Sequence, residues 1–250
     1  MDEADREMDE VERAVAEITG ELAGLGTTER AAGAKAYLKS DYEFLGVRTP
    51  DGRPVFTGWL RRAQPDIATV LAVVDRLWQS HVFEHRWGAT ELLTARAEQL
   101  DPGVLARIEA MVRDAGTWAL VDPLGYNAAG TILTVHPEAA TPVGQWVGDG
   151  WVGDGSFWVR RLAVLSLSRP VRAGVVGFTV LAGVADRLLD EREFFVRKAI
   201  GWVLREVGKT DPGAVAGFLR PRMARVSGVT WREARKPLPQ QVVAELEALR

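Results

Sequence analysis

Apolar positions recur at helical spacing along almost the whole chain, and Pro, Gly and Asp mark where each run stops. The pattern predicts helices near residues 5–24, 28–39, 54–63, 65–79, 83–98, 102–115, 119–134, 138–147, 157–168, 173–188, 191–208, 211–219 and 239–249, and no strand-like alternation. Three stretches can be laid over one another: Phe83-Glu-His-Arg86 onward, Phe157-Trp-Val-Arg160 onward and Phe194-Phe-Val-Arg197 onward. Each keeps Phe-x-x-Arg and a Leu seven residues after the Arg, at Leu93, Leu167 and Leu204. The Phe positions are 74 and 37 residues apart, two periods and one period of a stacked helical hairpin. An all-α solenoid is therefore expected over 1–250 as a single domain of HEAT-like repeats. Such a stack builds a long concave surface, and the repeated Arg suggests an anion upon it.

Two local features stand outside the repeat. Residues 1–25 read as an acidic, heptad-like helix whose expected role is to cap the first repeat. Within 144–155, Trp146-Val-Gly-Asp-Gly150 is followed at once by a second copy, Trp151-Val-Gly-Asp-Gly155, a small duplication expected to lengthen one loop without a function of its own. The stretch from Phe44 to Pro54 reads as a structured turn with Arg48 and Arg53 exposed.

Composition narrows the classes. With 47% hydrophobic residues the chain has ample apolar content for a continuous core, and with no cysteine it offers neither disulfides nor thiolate metal ligands. The first residues are acidic where a signal peptide would be basic, and the longest apolar runs are short and broken by Gly. A cytoplasmic protein without membrane association is expected.

The net charge of −3 disguises a polarity. Residues 1–12 hold seven acids against Arg6, so the remainder carries +3. Ser156 to Arg172 contains Arg160, Arg161, Arg169 and Arg172 with no acid, and Phe194 to Lys209 contains Arg197, Lys198, Arg205 and Lys209 against Glu206. A local basic stripe suits phosphate whatever the total, although a solvated helix face is its commoner meaning.

The segments Tyr37-Leu-Lys-Ser-Asp-Tyr-Glu-Phe-Leu-Gly-Val-Arg48, Thr117-Trp118-Ala-Leu-Val-Asp122, Phe157-Trp158-Val-Arg160-Arg161, Glu193 to Glu206 with its Lys-Ala-Ile-Gly-Trp202-Val-Leu-Arg205-Glu run, and Ser227 to Arg235 resemble the AlkD family of DNA alkylation-repair glycosylases. The resemblance runs from about residue 30 to about 236. It implies a right-handed superhelical stack of HEAT-like repeats whose concave groove holds duplex DNA, and hydrolysis of the N-glycosidic bond of cationic N3- or N7-alkylated purines, with no metal or other cofactor. It puts Trp118, Asp122 and Trp202 around the lesion, Arg161 on the phosphate backbone and Tyr37 at the rim. Arg48, Arg160, Lys198 and Arg205 are further candidates for the DNA. Double-stranded DNA is the expected partner and a monomer the expected state, and the family's habit of not fully extruding the base leaves room for bulky adducts.

Other readings of the same residues stay open. Asp122 before Pro123 has the arrangement of a helix N-cap with proline at the first position. Trp118 and Trp202 taken alone read as core, Tyr37 as an amphipathic boundary residue. His81-x-x-Glu84-His85 has the spacing of an inverted zinc-protease motif, although the equivalent positions of the other two repeats hold no His. A HEAT array that binds DNA or protein without catalysis is the alternative of another class.

Overall fold

The structure is a computed structural model that describes residues 3–140 and 155–250, with side chains in the first helix from residue 8 onward. The described residues form no strand, only an isolated bridge between Glu43 and Val82, so the all-α expectation holds. The sequence reading treats 1–250 as one repeat array; packing sorts the helices into two compact units, residues 1–100 and 101–250.

The first unit holds α1 (Glu3–Leu25), α2 (Thr28–Leu38), α3 (Thr49–Ala63), α4 (Ile67–Trp78) and α5 (Phe83–Arg96). On α1 the residues Ala14, Ile18 and Leu22 fall one helical turn apart and are buried, which seats the helix on α3 and α4. Its acidic face is tied down by Arg62 to Glu17 and Glu21 and by Arg76 to Glu12. The predicted turn from Phe44 to Pro54 is shorter than expected, because α3 begins at Thr49 with proline in its first turn and so needs no N–H there. Arg48 and Arg53 are exposed but paired with Asp51 and Glu91.

The second unit comprises α6 (Val104–Asp114), α7 (Trp118–Asp122), a π-helical segment (Pro123–Ala129), α8 (Gly130–Val135), α9 (Phe157–Ser166), α10 (Ser168–Arg172), α11 (Phe178–Arg187), α12 (Phe194–Gly208), α13 (Pro212–Leu219), α14 (Gly228–Ala234) and α15 (Gln240–Glu247). Helix α9 is its centre, buried from Val159 to Ser166 and packed on α6, α7, the π-segment and α12. Helix α14 was not expected from the sequence. It is capped by Ser227, which accepts from the Thr230 N–H at 3.1 Å, and it closes on α12 where a Cβ at Gly201 would sit 2.7 Å from the Thr230 carbonyl. The predicted helix 138–147 is represented by a single 3-10 turn, Pro137–Ala139; its remainder, like the duplicated loop up to residue 154, lies outside the described residues.

The three-fold repeat is structural. Each Phe opens a helix, α5, α9 and α12, and Leu93, Leu167 and Leu204 are all buried. Two of the repeat arginines make the same bond: Arg86 Nε donates to the Ser80 carbonyl at 2.8 Å and Arg197 Nε to the Glu191 carbonyl at 2.5 Å, in both cases six residues back. The arginine therefore secures the loop that delivers the chain into the helix. Arg160, at the equivalent place in α9, is buried and paired with Glu191.

Candidate functional site

Thr117 starts α7 by accepting from the Ala119 N–H at 3.4 Å, which sets Trp118 at the first helical position, half-buried. Asp122 follows one turn later. Its backbone is helical (φ −64°, ψ −48°) and its side chain makes no cap bond, so the N-cap reading is overturned: helix runs straight through Asp122 from α7. The proline acts differently. Pro123 lacks the N–H that an α-turn would use and its ring crowds the carbonyl four residues back, and the chain widens here into the π-segment.

The carboxylate is held from α9. Arg161 Nε donates to Asp122 Oδ1 at 2.7 Å and Nη2 to Oδ2 at 2.9 Å, a planar two-point pair. The third nitrogen, Nη1, donates to the Phe195 carbonyl at the start of α12, and the guanidinium lies 5.9 Å from the Phe195 ring centroid. The Arg161 side chain is 3% exposed and that of Asp122 18%. This proximity depends on Gly125, where a Cβ would sit 3.1 Å from that of Leu165, so the π-segment lies directly on α9. Burial and pairing explain why the sequence expectation of Arg161 on a phosphate is not met here: its donors face protein. The same holds for Arg160 with Glu191.

A four-residue step overshoots an α-turn by about 40° but falls short of the wider π-turn closed by i→i+5 bonds. The advance from Trp118 to Asp122 is therefore reversed from Asp122 to Tyr126, and the three share one side of the helix. Tyr126 stacks on Trp202 of α12, ring centroids 5.2 Å apart and planes 12° from parallel. Trp202 is thus brought to the Asp122 helix through a residue that the sequence reading missed. The i+4 spacing to Asp122 was a signal for it; the π-turn that makes the spacing effective was not visible.

Lys198, exposed on α12, lies over the exposed Phe194 ring at 5.9 Å. Arg205 is half-buried and bridged to Glu206 and Glu233. Tyr37, 74% exposed on α2, and Arg48 belong to the first unit. In that unit the zinc-type spacing has another explanation. Glu84 is buried and accepts from the backbone N–H groups of Leu45, Gly46 and Val47 at 2.9, 2.8 and 3.2 Å. His81 Nε2 meets the Asp41 carbonyl and His85 Nδ1 the Ser80 hydroxyl. Among the described residues no group of three metal-ligating side chains occurs, and no helix is long and apolar enough to cross a membrane.

A family model described as DNA alkylation repair enzyme matches residues 18–238. No curated protein gives a significant match. Among solved structures, the fold is similar to one described as a predicted DNA alkylation repair enzyme from Enterococcus faecalis, with a TM-score of 0.76 and 22% identity over 86% of this chain and 97% of that one. That identity speaks to the fold alone; the family match spans Trp118, Asp122, Arg161 and Trp202 together.

Proposed function

Because this chain belongs to the DNA alkylation repair enzyme family, its role lies in DNA repair, and we propose that it is a glycosylase that hydrolyses the N-glycosidic bond of cationic N3- or N7-alkylated purines in duplex DNA. The observation that carries the proposal is a partly exposed carboxylate, Asp122, fixed by a buried guanidinium on the helix side that also presents Trp118 and Tyr126.

The chemistry asks for little else. An alkylated purine is already a cation, so when the C1′–N bond breaks the electron pair leaves with the base and neutralises it. The sugar becomes an oxocarbenium ion. Asp122 stabilises that charge and accepts a proton from the water whose oxygen adds to C1′. The indole faces of Trp118 and Trp202 attract cations and pack on the deoxyribose. Arg161 acts as a positioning residue, aligning the carboxylate by its two parallel bonds. Lys198, Arg205, Arg48 and Tyr37 remain the proposed DNA contacts, with the protein acting as a monomer in the cytoplasm.

The test is base release from a duplex carrying one N7-methylguanine, resolved by chromatography against a no-enzyme control, since this lesion also depurinates unaided. Release above background that falls at least about 100-fold in Asp122→Asn, with duplex affinity retained, is the expected result. Release undiminished in Asp122→Asn removes Asp122 from the chemistry. No release from N7-methylguanine, N3-alkyladenine or a bulky adduct, with binding intact, returns the chain to the non-catalytic scaffold reading. Affinity is expected to fall steeply with salt.

A further inference from the structure

We propose that Tyr126 is a positioning residue for Trp202, and that Arg172 and Glu206 hold Tyr126 in that role; the catalytic consequence rests on the glycosylase reading above, the geometry does not. Trp202 comes from α12 and Asp122 from the α7 end of the π-segment, so nothing in local sequence fixes one relative to the other. Tyr126 supplies the link. One turn beyond Asp122, it lays its ring parallel to the indole, 5.2 Å away at 12°. An isolated tyrosine could still swing about its Cα–Cβ bond and carry the ring off the indole, but its hydroxyl is held: Arg172 Nη1 donates to it at 3.1 Å. That guanidinium approaches Glu206 at 3.8 Å, and Glu206, 7% exposed, is on α12 one turn after Trp202. The circuit thus closes upon the helix that carries the indole. Arg169 adds a second restraint, its guanidinium 5.4 Å from the Tyr126 ring centroid and bonded to Thr131 at 3.2 Å.

The physical reason for such a circuit is orientation. The attraction of an indole for a cation comes from its face, so an indole that rotates loses the interaction in the transition state while still filling space in the ground state. Tyr126 is therefore assigned to kcat rather than to DNA affinity. A misplacement of the order of one ångström is enough to cost about 100-fold in rate.

The experiment is a double-mutant cycle of Tyr126→Leu and Trp202→Leu, read in two ways. In single-turnover base release, Tyr126→Leu is expected to lower the rate at least about tenfold, with duplex Kd changed less than about threefold, and to have no further effect in the Trp202→Leu background. Tyr126→Phe, which keeps the ring and loses only the Arg172 bond, is expected to recover part of the rate, the remaining deficit being the contribution of that bond; full recovery would remove Arg172 and Glu206 from the role. In near-ultraviolet circular dichroism, the signal lost with Trp202→Leu is expected to shrink when Tyr126 is already Leu, because a stacked pair is one coupled chromophore. Additive rates with a non-additive dichroism signal would leave the stack in place and remove its catalytic role; an additive dichroism signal overturns the proposal outright. If the wild-type protein releases no base, the glycosylase reading fails, and the dichroism cycle still decides whether Tyr126 positions Trp202.

Discussion

Both carboxylate oxygens of Asp122 accept hydrogen bonds from the same guanidinium, that of Arg161, at 2.7 and 2.9 Å, while the arginine's remaining nitrogen is committed to the Phe195 carbonyl. One side chain thus ties α7, α9 and α12 together at the point where the carboxylate meets solvent. The arginine is buried and the aspartate is not, which makes the pair unequal in its response to mutation.

Arg161→Met is expected to be the more damaging change. It removes the fixed partner, leaves the Phe195 carbonyl without its donor and is expected to lower stability by about 3 kcal/mol. Asp122→Asn keeps an oxygen that can accept from Nε but turns its amide nitrogen on Nη2, donor against donor, and with the Phe195 carbonyl still holding the guanidinium it is expected to cost about 2 kcal/mol. Urea denaturation of both variants checks the order; equal or reversed losses would mean that Asp122, not Arg161, anchors the junction.

Removing a repeat arginine is expected to weaken the fold without weakening DNA binding. Arg86 donates to the Ser80 carbonyl and, at 2.7 Å, to the Tyr42 hydroxyl, and it lies 4.9 Å from the Trp78 ring. Arg86→Met is expected to lose about 2 kcal/mol while the salt slope of DNA affinity stays the same. A slope reduced by about one unit would instead place this arginine on a phosphate. The Phe-x-x-Arg repeat was legible in the sequence, and so was its helical period. Its purpose was not, because the bonds it makes run to the loop six residues earlier, and spacing alone does not tell a carbonyl from a phosphate.

Glu84 should prove structural. In Glu84→Gln the amide nitrogen faces at least one backbone N–H, donor against donor, and a loss of about 2 kcal/mol is expected. Chelators should leave stability and activity unaltered, as should His81→Ala for activity. Metal-dependent activity that His81→Ala abolishes would restore the inverted zinc motif.

Acid should loosen the α12 junction through Glu206. Burial opposes its ionised form, but hydrogen bonds and charge from Lys209 and Arg205 outweigh burial and hold its carboxyl below the ordinary value of 4.5. A folded value below the unfolded one means that the unfolded chain binds the proton more readily, so the contribution is complete above about pH 4.5 and is lost as pH falls through the folded value. Stability profiles of the wild type and Glu206→Gln should accordingly differ above pH 4.5 and converge in stronger acid. A gap that widens on acidification contradicts the sign.

Periodicity and punctuation were enough for the helices, because an apolar stripe of period 3.6 and a proline or serine at its start act within a few residues of chain. They did not single out the candidates: Trp118 and Asp122 are one turn apart on any helix, and pattern alone reads them as a core residue and a helix cap, so only the resemblance to a known family marked them for the site. Helix α14 escaped because its run, Gly228 to Ala234, is only seven residues long and its packing uses the close approach that Gly201 permits, a contact 29 residues distant in sequence. For the same reason the environment of Asp122 was a matter of three-dimensional packing. Whether a carboxylate before proline caps a helix or faces an arginine depends on which helix lies across from it. Here Gly125 brings α9 close enough for Arg161 to answer, and the π-turn after Pro123 swings Tyr126 onto Trp202. Residue types and their spacing in the chain name the chemistry available; only the packing of distant helices establishes which groups are turned inward to hold one another and which are left to meet a ligand.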